Sequence, residues 1–492
     1  MKRTLLLTFL FPLFALASFA KGVQIDNLNY LLDESGKTAT VTYPGAKPGD
    51  SFNSSSTIPS TVTYNGNTYT VTAVGDSAFY GCVELFSIKI PSTIRTIGQA
   101  AFMDCQEIMT IEIPASVSNI GRNAFWGCYN VVEIKVDANN RFYDSRDNCN
   151  AIIRTATNRL VAGCKFTEIP ETVVEIAEGA FGGCAYLSTV TIPSSVTRIV
   201  SNAFMGCIRL TTVTINSNAI VSGCSELVNG SSLVALFGSQ VKKYVIGEGV
   251  EAIGGRAFFA GQPEQSEAGP VFVDNALETV VLPSTLRTIG RWAFQYCTNL
   301  RSVNIPEGVD SIADGAFTWC HSLEALNLPS TLRVPGEGHN ELFKVSAVNV
   351  AEGNPYLRSE DGVLLSADGK TLWLYPSGKV DEAYRIPDGV EEIRGYAFDG
   401  TTKLRSLTLP ASLKSVGSYT FSNVSSIEDI VVEAAEPPAV NSALFFDWWA
   451  GTWLVPSGYN FYDTVTLRVP RTSREPAANF MPPTASGDAS PT

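Results

Sequence analysis

The segment LSTVTIPSSVTRIVSNAFMGCIRL, residues 187–210, decides how this chain folds. It reads Leu187-x-x-Val190-x-Ile192-Pro193-x-x-Val196-x-x-Ile199, then Ala203-Phe204-x-x-Cys207, and Leu210 opens the same pattern again. Elsewhere Phe79, Phe102 and Phe125 stand 23 residues apart, each followed three residues later by Cys82, Cys105 or Cys128, and the interval returns at Phe181 to Phe204, Phe294 to Phe317 and Phe398 to Phe421. A fixed period in the twenties marks units too small to bury an apolar face alone, so they stack on their neighbours as a repeat solenoid.

Within a unit, Leu-x-x-Val-x-Ile alternates apolar and polar, which predicts a half-buried strand with Leu, Val and Ile inward. Proline stops it, and it recurs in register at Pro91, Pro114, Pro170, Pro283, Pro306, Pro329, Pro387 and Pro410. A second short apolar pair then ends in Ile97-Gly98, Ile120-Gly121 or Ile289-Gly290, where glycine is expected to supply a backbone shape closed to other residues. The Ala-Phe block reads as a single helical or 3-10 turn opposite the strand, with the rings filling the interior at roughly 2–3 kcal/mol each by buried area.

This combination resembles the BspA-type leucine-rich repeat proteins, a group of bacterial surface and secreted proteins. The resemblance runs from about Ile58 to Val432. It implies a leucine-rich-repeat-like solenoid, mainly β with short helical or 3-10 turns, forming a right-handed curved array of coils of about 23 residues. Where the general consensus has Asn or Cys after the strand, this chain has Thr93, Ser116, Thr172, Ser195, Thr285, Thr331 and Ser412, with Gly308 and Gly389, so hydroxyls are expected to bond turn amides instead.

Domain organisation follows. Lys2 and Arg3, an apolar run from Leu5 to Phe14 and the small residues ending at Ala20 read as a signal peptide over 1–20. Residues 21–54 are expected to form an N-terminal β cap, 55–433 the solenoid, 434–473 a C-terminal cap containing Trp448, Trp449 and Trp453, and 474–492 a disordered tail. Longer variant coils are expected near 136–168, 214–248 and 349–385; in the third, Asp361-Gly362 and Asp368-Gly369 flank alternating stretches as hairpin turns do. The first cysteine is Cys82, which gives no support to a lipid-anchored N-terminus, and no apolar run after the leader is long enough for a membrane span. A secreted or cell-surface location is therefore expected.

A formal charge of −13 repels phosphate backbones and disfavours nucleic acid as a partner. Seven of the ten cysteines occupy one repeat position, and Cys149, Cys164 and Cys224 fall in irregular segments; the repeat position is read as a small buried site for free thiols rather than a ladder of bridges or a zinc site. The two histidines, His321 and His339, lie in no motif that pairs them with a nucleophile, and Glu391-Glu392 reads as surface charge. The expectation is a protein that is not an enzyme, with no catalytic, cofactor or metal residues.

Recognition is the better-supported reading. The outward strand positions are Thr110 and Glu112, Glu133 and Lys135, Thr189 and Thr191, Thr212 and Thr214, Ser302 and Asn304, then Ala325, Asn327, Ser406 and Thr408. Stacked at ~4.8 Å per coil they make a ribbon on the order of 60–70 Å long, suited to extended partners. Trp126, Tyr129, Trp292, Tyr296 and Trp319 gather beside the Ala-Phe blocks and are expected to pack between coils. The family resemblance implies adhesion to protein partners such as extracellular matrix or other cell surfaces. Capture of glycans as a carbohydrate-binding accessory protein, or a passive structural role in the envelope, are the competing expectations.

Overall fold

The structure is a computed structural model that describes residues 22–43, 54–225, 232–259, 261–266, 269–272, 275–335, 345–424, 426–435, 438–440 and 466–468. The expected signal peptide and tail lie outside these residues, as does nearly all of the expected C-terminal cap. The chain divides into two compact units, Met1–Asp144 and Ser145–Thr492.

In the first unit, Val23–Ile25, Leu28–Asp33 and Thr38–Thr42 form an antiparallel meander that joins Asn67–Val74 in parallel. Repeat strands continue from there: Thr96–Ile97 and Asn119–Ile120 extend that sheet, while Thr110–Ile113 pairs with Glu133–Val136. In the second unit, Thr189–Ile192, Thr212–Ile215, Lys243–Ile246, Thr279–Val281 and Ser302–Val303 make one parallel sheet, with Val190, Val213, Tyr244, Val280 and Val303 in register and buried. A second parallel sheet comes from the short strands after the proline turn, Ala252–Ile253, Thr288–Ile289, Ser311–Ile312 and Val334–Pro335. Each repeat thus gives one strand to each of two sheets because its two apolar runs are separated by the proline turn.

The Ala-Phe side differs from its expected helical turn. Among the described residues it contains consecutive hydrogen-bonded turns, with a left-handed residue before the Ala and another before the Cys, as at Asn202 and Gly206. These reversals aim alternate amides at the next coil: Phe181 N–H donates to Ala203 O at 2.8 Å, and Phe294 N–H to Ala316 O at 2.8 Å. A continuous helical turn would keep those bonds within one coil. Aromatic residues take the left-handed position at Trp292, Tyr296, Trp319, Tyr396 and Tyr419, at about 1–2 kcal/mol of strain each.

Three side-chain ladders bind coil to coil. Phe258, Phe294 and Phe317 stack with centroids 4.7 and 5.0 Å apart and planes within 11° of parallel, and Phe79 and Phe102 stack at 5.1 Å in the first unit. Five of the seven repeat thiols donate to the Phe carbonyl of the coil before, among them Cys105 to Phe79 O at 3.0 Å, and Cys207 to Phe181 O and Cys320 to Phe294 O at 3.2 Å. All ten cysteines are free and buried. Five of the seven hydroxyls after the proline donate to the preceding coil's carbonyl, among them Ser195 to Val173 O at 2.7 Å and Thr285 to Val250 O at 2.8 Å. Turn amides enter that ladder where the sequence has glycine: Gly308 N–H donates to Thr331 at 2.9 Å and Gly389 N–H to Ser412 at 3.0 Å. The Ile-Gly glycines are present for a different reason from the one expected. A Cβ on Gly121 would lie 2.4 Å from Gln99 N, so close approach of the neighbouring coil, and not a left-handed backbone, excludes a side chain there.

The longer intervals solve their surplus in two ways. In the third, Leu357–Glu360, Val363–Ser366 and Thr371–Leu374 form an antiparallel meander, with Asp361, Gly362 and Gly369 at positive φ in its turns. Asn354 fastens its base: its amide donates to Pro329 O (3.1 Å) and Leu332 O (2.8 Å), and its oxygen accepts from Tyr356 N–H and Leu357 N–H. Asn140 makes the same four bonds with Pro114, Val117, Phe142 and Tyr143 in the first unit. The second interval is helical instead, with Asn218–Ser222 and Leu233–Phe237 capped by Ser217 and Ser232. Phe237 and Tyr244 carry the ring ladder across it from Phe204 to Phe258.

Candidate interaction surfaces

Because the strand period is two, burying Val190, Ile192, Val213 and Ile215 forces Thr189, Thr191, Thr212 and Thr214 outward. Parallel pairing then aligns them in two rows. Thr189, Thr212, Lys243, Thr279 and Ser302 form one; Thr191, Thr214, Val245 and Val281 form the other. Thr189, Thr191, Ser302 and Asn304 are exposed, while Thr212 and Thr214 are half-buried. Asn304, Asn327 and Asn349 continue the second row as an amide ladder, with Asn349 donating to Asn327 at 2.9 Å.

The remaining four predicted positions lie in the first unit. Thr110 pairs with Glu133 and Glu112 with Lys135, and Lys135 Nζ lies 2.7 Å from Glu133, whose hydrogen bond raises the lysine's pKa. The ten predicted residues therefore form two groups of different chemistry: a short ion-paired patch, and a longer ribbon in which Lys243 is the single charge among the rungs named above. Lys243, Val245, Thr279, Val281 and Asn349 escaped the sequence reading, because the longer intervals shift their spacing. The alternation Lys243-Tyr244-Val245-Ile246 was the signal that could have found them.

Ser406 and Thr408 belong to a further sheet of Ala383–Arg385, Ser406–Leu409, Asp429–Val432 and Thr466–Arg468. Ion pairs crowd it: Arg385 engages Glu433 and Asp388, and Arg405 engages Glu428. Glu391 sits between Lys414 and Lys370, whose hydrogen bonds lower its pKa, in that order of importance.

The aromatics beside the Ala-Phe blocks in the second unit are half-buried, and two of them stack. Tyr296 and Trp319 are parallel within 7° at 5.7 Å, and Trp292 is flanked by Arg291 at 3.9 Å and Arg256 at 4.6 Å. The Trp448, Trp449 and Trp453 group lies outside the described residues, as does His339. His321 meets the Trp319 ring edge-on at 5.5 Å. Its neighbour Cys320 is buried, holds its proton through the bond to Phe294 O, and burial pushes its pKa up to about 12. Among the described residues no group of three or more His, Cys, Asp or Glu side chains is placed to hold a metal ion, and no helix is long and apolar enough to cross a membrane.

Stacked strands, hydroxyl and thiol ladders and an outward polar ribbon define a leucine-rich repeat fold. The BspA type leucine rich repeat region matches residues 50–157, 158–262, 270–352 and 381–446, and the chain belongs to that family. Similar solved structures include a leucine-rich repeat protein from Bacteroides ovatus ATCC 8483, 21% identical over 91% of this chain and 100% of that one, with a TM-score of 0.42. A leucine rich cell surface protein from Faecalibacterium prausnitzii is 24% identical over 85% of this chain and 78% of its own, with a TM-score of 0.28. The pneumococcal vaccine antigen PcpA is 19% identical over 88% and 78%, with a TM-score of 0.34. Membership of the family rests on the sequence match. No curated protein matches the chain.

Proposed function

We propose that this chain is a secreted or cell-surface binding protein whose repeats form a right-handed solenoid of about 23-residue coils, and that the strand ribbon of the second unit contacts protein partners. The reading includes adhesion to extracellular matrix or other cell surfaces, export through the N-terminal leader, and no catalytic activity of its own. One observation carries it: rows of hydroxyl and amide groups, in register on a parallel sheet, face outward over a buried row that fixes them. Side chains held this way lose little entropy on binding, and uncharged donors and acceptors cost less to desolvate than ion pairs.

The test is an array of matrix proteins and glycans probed with mature protein. Saturable binding to a protein, lost when Thr189, Thr191, Thr212 and Thr214 are all replaced by Glu, is the expected result. Binding confined to glycans, or protein binding indifferent to those four changes, refutes the assignment.

A further inference from the structure

In each repeat two residues separate the buried Cys from the residue that opens the next strand, and both ends of that step are fixed in the core. In the second unit Thr298-Asn299 and His321-Ser322 fill this step in two coils. Near its start Ala185-Tyr186 after Cys184 and Ile208-Arg209 after Cys207 fill it instead, and Lys165-Phe166 follow Cys164 in the irregular segment just before them. Phe166 is 61% exposed, Tyr186 46% and Ile208 70%, so the fold gains little from their apolar character. Adjacent exposed residues of this kind mark a contact surface rather than chance, since isolated exposure would be scattered.

The cations define what fits. Lys165 Nζ stands 5.4 Å from the Phe166 ring centroid and 5.5 Å from that of Tyr186, and the Arg209 guanidinium lies 4.9 Å from Tyr186. Neither cation pairs with a carboxylate among the described residues, although the chain carries 48 Asp and Glu against 35 Lys and Arg. The rings hold the charges in place without neutralising them. A tyrosine bracketed by two cations, with the exposed Ile208 next in sequence to Arg209, combines Tyr and Arg, which dominate interface energetics, with an unanswered positive charge.

We propose that this corner, formed by Lys165, Phe166, Tyr186, Ile208 and Arg209, docks an acidic, apolar peptide segment of a partner protein. The partner's carboxylates would meet Lys165 and Arg209 while its apolar side chains cover Phe166 and Ile208. A sugar ring is the poorer fit, because stacking needs an open aromatic face, the cations lie over Tyr186, and Ile208 offers none. The site uses other side chains than the strand ribbon, Tyr186 and Arg209 lying three residues before Thr189 and Thr212, and does not depend on it.

The test pans full-length mature protein against phage displaying random 12-residue peptides, in parallel with K165E/R209E and Y186S/I208S. All four residues are exposed or half-exposed, and unchanged melting temperatures verify that the variants fold. The selected pool is expected to be enriched in Asp and Glu beside Phe, Leu or Trp. It should bind the native protein with an affinity that falls several-fold between 50 and 500 mM salt, and at least tenfold in either variant. A ribbon variant, S302E/N304E, should hold the pool as the native protein does; its failure to do so would place the peptide on the ribbon and overturn the proposal. A pool without acidic enrichment, or one that K165E/R209E retains, would also overturn it. So would binding of polygalacturonate, but not of peptides, that the same variants abolish.

Discussion

Replacing Phe294 by alanine removes one rung of the interior ring ladder, and the structure fixes what is lost. The side chain has no exposed surface and lies between Phe258 at 4.7 Å and Phe317 at 5.0 Å. Burial of the ring contributes about 1.5–3 kcal/mol. Each stacked pair adds about 0.5–1.5 kcal/mol, and two are broken. The total agrees with the roughly 3–5 kcal/mol typical of Phe→Ala in a core. In a stacked array this loss is felt through nearest neighbours rather than spread over the unit. Native-state amide exchange is the appropriate assay. A local cost near 4 kcal/mol corresponds to about a thousandfold loss of protection for the most protected amides of residues 253–320. Amides of 406–432 should change little. Uniform acceleration across the second unit would refute nearest-neighbour coupling, and a loss of less than about tenfold anywhere would refute the ring ladder as a main source of stability.

The thiols give a pH prediction. Burial pushes Cys184, Cys224 and Cys320 up to about 12, whereas an unfolded thiol ionises near about 8.5. Above that lower value the unfolded chain has released protons that the folded chain still holds, so stability is fully present below about pH 8.5 and falls as pH rises towards 12. Urea midpoints measured from pH 7 to 11 should decline accordingly, and a flat profile would contradict it. Native protein should resist alkylation at pH 8, and ten thiols should react in denaturant; few reactive thiols there would mean bridges. Asn354→Ala strips four hydrogen bonds from the base of the third interval, leaving buried groups unpaired at about 1–3 kcal/mol each. Limited proteolysis should then cut first near 355–370, and cleavage no faster than in the native chain would argue against the latch.

Much of this was legible from residue spacing. Alternation placed Val190 and Ile192 inside and Thr189 and Thr191 outside, and the periodic proline located the turn. The Asp-Gly pairs correctly announced the hairpin turns of the third interval. The second interval was not readable as helical, because its two five-residue helices are too short to display a period. The Ala-Phe block was misread as a helical turn. Its left-handed residues are Asn and Gly in some coils but Trp and Tyr in others, and aromatics give no local indication of that conformation.

The sequence by itself determined the repeat, its register and the sorting of side chains into interior and exterior, because these depend on local period and on the cost of exposing apolar surface. Tertiary structure decided what lies beside what. Cys207 meets the Phe181 carbonyl across 26 residues, and Gly121 is excluded from bearing a Cβ by the backbone of another coil. Lys165, Tyr186 and Arg209 come together from two coils and the irregular segment before them. Such contacts run perpendicular to the chain. They depend on how closely coils stack and on which residues the longer intervals insert between them, and neither quantity is encoded in any one repeat.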